Sequence, residues 1–158
     1  MVEKIQFQTY TELQITFKHI DLPEMINQEK IRIDLAGINK IDTSIHFFEA
    51  ETQLHIQLPL IFKNFCDYSY IVCPDVQFDL LDSVTKRQQL IWAKKAGIGI
   101  ISILDDGTLR IRLPALQKQL KPVIRKEVIQ IMNKMFRIRF NTLPLWERSH
   151  KTQSTLES

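Results

Sequence analysis

Two short, almost wholly apolar runs set the strongest limit on how this chain can fold: YSYIVCP at 68–74 and IGIISI at 98–103. Pro74 stops the first, Gly97 precedes the second, and both read as strands buried in a sheet. Between them DLLDSVTKRQQLIWAKKAG carries Leu81, Val84, Leu90, Ile91 and Ala96 on a helical period and stops at Gly97, where a C-cap glycine belongs. Upstream, SIHFFEAET (44–52) reads as a strand, and QLHIQLPLIFKNFC (53–66) turns helical through Leu58, Ile61, Phe62 and Phe65, with Pro59 in its first turn. Strand, helix, strand, helix, strand over 44–104 predicts βαβ units and an α/β fold whose sheet is covered on both faces.

The flanks extend this core. IRIDLAGI (31–38) reads as a further strand, and the polar turn 39–43 leads from it into SIHFFEAET. Before residue 20, Leu13, Phe17 and Ile20 recur at spacings of four and three behind Thr11, which predicts an amphipathic helix. Asp105-Asp106-Gly107 between IGIISIL and TLRIRL predicts a hairpin, and residues 115–136 form the longest helical pattern, interrupted at Pro122. One domain over 1–146 and a polar, disordered tail over 147–158 are expected. With 44% hydrophobic and 25% charged residues, no apolar run of membrane-spanning length and no signal-peptide pattern, the expectation is a globular cytoplasmic protein. Cys66 and Cys73 have no metal-site spacing and read as buried thiols.

Charge is divided unevenly along the chain. Residues 1–106 hold 10 basic and 15 acidic side chains, whereas 107–158 hold 11 basic and 3 acidic. A basic C-terminal third implies an anionic partner, DNA first, with Arg110, Arg112, Lys118, Lys121, Arg125 and Lys126 as candidate phosphate contacts.

The acidic residues carry the chemistry. Alternation along 45–51 puts Ile45, Phe47, Glu49 and Glu51 on one face of a strand, so two carboxylates project from its C-terminal end. Asp34 lies on the preceding strand, and pairing of the two strands would bring three carboxylates to one point. Three like charges repel unless a cation sits among them, and a hard divalent ion, Mg2+ or Mn2+, suits oxygen donors.

The order IRIDLAGI, HFFEAET, helix, YSYIVCP, long helix ending AKKAG, IGIISI resembles the restriction-endonuclease-like PD-(D/E)xK nuclease superfamily over residues 9–104, about two thirds of the chain. The resemblance implies a central mixed β-sheet flanked by helices on both faces and Mg2+-dependent hydrolysis of DNA. It implies Asp34 and Glu49 as ligands, Glu51 as a ligand or general base, and Glu12, inside the first predicted helix, as an auxiliary ligand. It also implies a 5′-phosphate product and, for cutting both strands, a homodimer. The departure is Glu51, which stands where the family has lysine. Lys63 on the following helix, or more weakly Lys40 in the turn, could replace that charge. The alternative is a catalytically degenerate nuclease-fold module that binds nucleic acid or a protein partner. Tyr68 and Tyr70 read as core, and His46 and His55 have no assigned role.

Overall fold

The computed structural model describes residues 7–16, 30–76 and 83–142. Six strands form one mixed sheet in chain order: β1 (Phe7–Thr16), β2 (Lys30–Asn39), β3 (Ile45–Ala50), β4 (Tyr68–Pro74), β5 (Gly99–Ile103) and β6 (Leu109–Leu113). β1, β2 and β3 form an antiparallel meander, β3, β4 and β5 run parallel, and β6 returns antiparallel. The parallel pairs need crossovers, which α1 (Gln57–Phe62) and α2 (Val84–Ala96) supply. A third helix, α3 (Pro122–Thr142), packs against β1. The α/β class predicted from the alternation of elements is the one observed.

Two cores hold the layers together. Leu13, Ile15, Ile33, Phe47, Phe62, Phe65, Val128 and Met132 belong to the first, which joins the meander to α1 and α3. Leu54, Ile56, Ile71, Cys73, Ala93, Ile98 and Ile100 form the second, beneath α2. Phe47 and Phe62 meet edge to face at 6.1 Å, so α1 lies over the side of β3 that carries Phe47. Ser69, aligned with Phe47, donates its hydroxyl to the Pro59 carbonyl at 2.7 Å on that same side.

Three sequence expectations are corrected. Residues 11–16 belong to strand β1, and 17–20 lie outside the described residues. Leu13 and Ile15 are fully buried around an exposed Gln14, a period of two, and the β-branched Thr9, Thr11, Ile15 and Thr16 favour that extended form. The last helix begins at Pro122; 115–121 carry no helix, and Leu116 and Lys118 donate their N–H groups to the Gly97 and Asp67 carbonyls. Proline disfavours a helical residue before it and is at home as the first helical residue. Finally, β4 alternates between buried and half-buried residues, so its two sides are not covered equally. Gly97 has φ +73° at the end of α2, as the C-cap expectation requires. The expected tail 147–158 lies outside the described residues.

Candidate active site

Alternation along β3 buries Ile45 and Phe47 completely, and Glu49 follows them inward at 7% exposure. The β2–β3 register, continued one step past Leu35↔Phe48, sets Asp34 beside Glu49. Asp34 Oδ2 accepts the Ala50 N–H at 3.0 Å, which fixes its carboxylate at the C-terminal end of β3. Glu51 comes next on the same alternation, half-buried, and donates its N–H to the Val72 carbonyl at 2.9 Å. The predicted pairing of strands therefore brings Asp34, Glu49 and Glu51 to one end of the sheet.

The electrostatics follow from that placement. Burial pushes the Glu49 carboxyl up from 4.5 to about 7, and the negative charges of Asp34 and Glu51 push it the same way. Its Oε2 is buried without a hydrogen-bond partner. A buried polar atom left unpaired costs on the order of 1–3 kcal/mol. A hard cation would supply both the absent partner and the absent positive charge, so the donor chemistry suits Mg2+ or Mn2+. Among the described residues, no group of three or more His, Cys, Asp or Glu side chains already converges at metal-holding distances.

Glu12 is on strand β1, where a helix was predicted. The β1–β2 register is constant from Phe7↔Asn39 to Thr16↔Lys30, so Glu12 stands across from Asp34 on the side away from β3. Its backbone thus falls in the same cross-sheet row as Asp34 and Glu49.

The lysines expected to replace the charge are elsewhere. α1 runs back along the sheet, so Lys63, just past its end, reaches the N-terminal end of the parallel strands and donates to the Ala96 carbonyl at the close of α2. Burial, then the Lys118 charge, lowers its pKa. Lys40 sits in the turn before β3, at that same far end. The length of β3, six residues at about 3.3 Å each, separates this end from Glu49 and Glu51.

The basic third does not form one patch. Lys118, Lys121, Arg125 and Lys126 gather near Asp67, at the end of the sheet opposite the carboxylates, while Arg110 and Arg112 belong to the edge strand β6. Arg125 makes a bidentate ion pair with the fully buried Asp67 and also donates to the Thr43 carbonyl at 3.3 Å. Arg112 pairs with Asp75, which also accepts the Ser102 hydroxyl at 2.7 Å. These two arginines hold the fold, whereas Arg110, Lys118, Lys121 and Lys126 are exposed. A groove of about 520 Å³ lined by Gln119, Pro122, Lys126 and Ile129 opens beside Arg125.

Sequence reading missed Asp67 and Gln89. Asp67 accepts the Ile45 N–H at 2.7 Å as well as Arg125, and Gln89, 8% exposed, accepts the Ile56 N–H at 3.0 Å. Gln89 was detectable as a polar residue beside the apolar stripe of its helix. The partner of Asp67 lies 58 residues away, and no local pattern points to it. Tyr68 and Tyr70, expected in the core, are half-buried and stack on His46 and Phe48, with centroids 4.5 Å apart for His46–Tyr68 and 4.6 Å for Phe48–Tyr70. Cys66 and Cys73 are buried free thiols, as expected.

No family model matches the chain, and no curated protein matches it. Among solved structures it is similar to SPO1766, a protein of unknown function from Silicibacter pomeroyi. The two share 16% sequence identity with a TM-score of 0.56, over 89% of this chain and 82% of that one. The similarity is one of fold. Among the described residues no helix is long and apolar enough to cross a membrane.

Proposed function

We propose that the end of the sheet bearing Asp34, Glu49 and Glu51 is the catalytic centre of a metal-dependent DNA endonuclease with a restriction-endonuclease-like core. The observation that carries this reading is Glu49, a carboxyl turned into the protein with one oxygen unpaired and two further carboxylates beside it. Folding alone gives no return for that arrangement, and strained, unsatisfied groups of this kind concentrate at functional sites. The meander followed by a parallel crossover, with the acids on β2 and β3, also supports it.

Asp34 and Glu49 would hold Mg2+ or Mn2+, with Glu12 as the auxiliary ligand across β2. The ion, when bound, would acidify a coordinated water and offset charge on the scissile phosphate. Glu51, more exposed than Glu49, would orient the attacking water and accept its proton. The product would carry a 5′-phosphate, and a homodimer would place two such sites on a duplex. A second reading, a degenerate module that binds nucleic acid or protein without cutting, draws on Glu51 in place of lysine and on carboxylates that do not yet converge.

Incubation with supercoiled and linear DNA in Mg2+, Mn2+ or EDTA separates the two. The enzyme nicks or linearises DNA with either metal, stops in EDTA, and loses about 100-fold or more of its rate in Glu51→Gln. Binding without cleavage under every condition supports the module.

A further inference from the structure

A site that breaks a phosphodiester needs positive charge facing the non-bridging oxygens, where negative charge grows during attack. β3 offers a carboxylate at that place, and Lys63 and Lys40 lie at the wrong end of the sheet. Helix α2 reaches the right end. It connects β4 to β5, which run parallel, so it starts above the C-terminal ends of the strands and finishes at Gly97, beside their N-terminal ends.

Its sheet-facing stripe is marked by burial: Gln89 and Ala93 are buried, Leu90 and Ala96 half-buried, while Thr85, Arg87, Gln88, Lys94 and Lys95 are exposed. Lys86 is half-buried and falls one turn before Gln89 and Leu90, on that same stripe. Gln89 fixes the rotation and height of the helix, because its Oε1 holds the Ile56 N–H in the segment that leaves β3 after Glu51. Beneath α2 lies Cys73, in one core with Ala93 and with Leu90 and Ala96 packed against it. Burial pushes that thiol up to about 11, Asp75 adds to the rise and the charge of Lys86 opposes it. The β3–β4 register, continued one step past Ala50↔Val72, puts Cys73 beside Glu51. Cys73 thus lies beneath the helix whose first turn carries Lys86 and beside Glu51 on the neighbouring strand.

We infer that Lys86, on the first turn of α2, supplies the cation that Glu51 displaces from β3, and that its ammonium faces the scissile phosphate. The inference rests on the nuclease reading and adds a residue to it. In the reaction, water adds to phosphorus, the P–O3′ bond breaks, and the departing 3′ oxygen takes a proton from solvent. Lys86 forms and breaks no bond in this step and acts by charge.

The test compares wild type, Lys86→Ala and Lys86→Arg in cleavage of supercoiled DNA with Mg2+ or Mn2+. Each is first checked by thermal melting. Lys86→Ala should lose about 100-fold in kcat with KM little changed. Lys86→Arg, which keeps the positive charge, should retain part of the rate. A second readout needs no turnover. In EDTA, the dependence of DNA affinity on salt should become shallower by about 0.9 in log–log slope for Lys86→Ala, one phosphate contact. Wild-type cleavage matched by Lys86→Ala, with an unchanged salt slope, overturns the role of Lys86 and leaves the nuclease reading standing. A wild type inert with both metals removes the nuclease reading and this inference with it.

Discussion

Replacing Glu49 by glutamine should make the protein more stable at pH 8 and leave it unchanged in acid. The folded state raises the Glu49 carboxyl from 4.5 to about 7, by burial first and then by Asp34 and Glu51. Between those two values the folded chain keeps a proton that the unfolded chain has lost, so stability falls as pH rises through the window and levels off above 7. At 1.36 kcal/mol for each pKa unit, the ionised carboxyl costs about 3 kcal/mol at pH 8. For a chain of 158 residues this corresponds to roughly 6–12 °C in melting temperature. Glutamine has the same shape and no charge, so it abolishes the penalty. Melting followed by circular dichroism from pH 4.5 to 8.5 in EDTA, for wild type and Glu49→Gln side by side, isolates this group from all others that titrate. Two parallel curves across the window would refute the argument, because Glu49 would then ionise as freely in the folded protein as in the unfolded one.

Mn2+ or Mg2+ should raise the melting temperature of wild type, and Asp34→Asn, which relieves repulsion while keeping an acceptor for the Ala50 N–H, should abolish that rise; an equal rise in both, measured by differential scanning fluorimetry, rejects Asp34 as a ligand. Arg125→Ala should destabilise the fold by about 3 kcal/mol in urea titration, since it strips the fully buried Asp67 of its counter-charge; a loss below about 1 kcal/mol would mean that the Ile45 N–H suffices. Gly99→Ala would set a Cβ 2.5 Å from Tyr70 Cδ1, so it should cost about 1–3 kcal/mol and disturb the Tyr70–Phe48 stack, which near-ultraviolet circular dichroism would report.

The middle of the fold was legible because its patterns are local. Each of β3, β4 and β5 is a short apolar run, α2 ends on a glycine, and the Asp105-Asp106-Gly107 turn closes its hairpin around the Thr108 contacts of Asp106. The acidic cluster was legible for the same reason, since alternation and one antiparallel pairing suffice to bring Asp34 and Glu49 together. β1 was misread because Leu13 also stands four residues from Phe17, a helical spacing, and only its pairing along β2 decides for a strand. Lys63 was misplaced because a crossover helix reverses the chain, which carries its last residues away from the strand end where it began. The half-buried position of Lys86 was not legible because it depends on which way α2 is rotated, and that is set by the tertiary bond from Gln89 to Ile56.

The strands stand in the sheet in the order in which they occur along the chain. During synthesis each new strand therefore meets the edge left by the one before it, and the sheet can grow in step with the emerging polypeptide, without waiting for distant partners. The exception is at the end. Arg125 reaches back to Asp67, and α3 docks on β1, so among the described residues the last helix joins the first strand. A truncation before residue 122 would leave the sheet with the buried Asp67 lacking its arginine and with its first core open on the side that α3 covers.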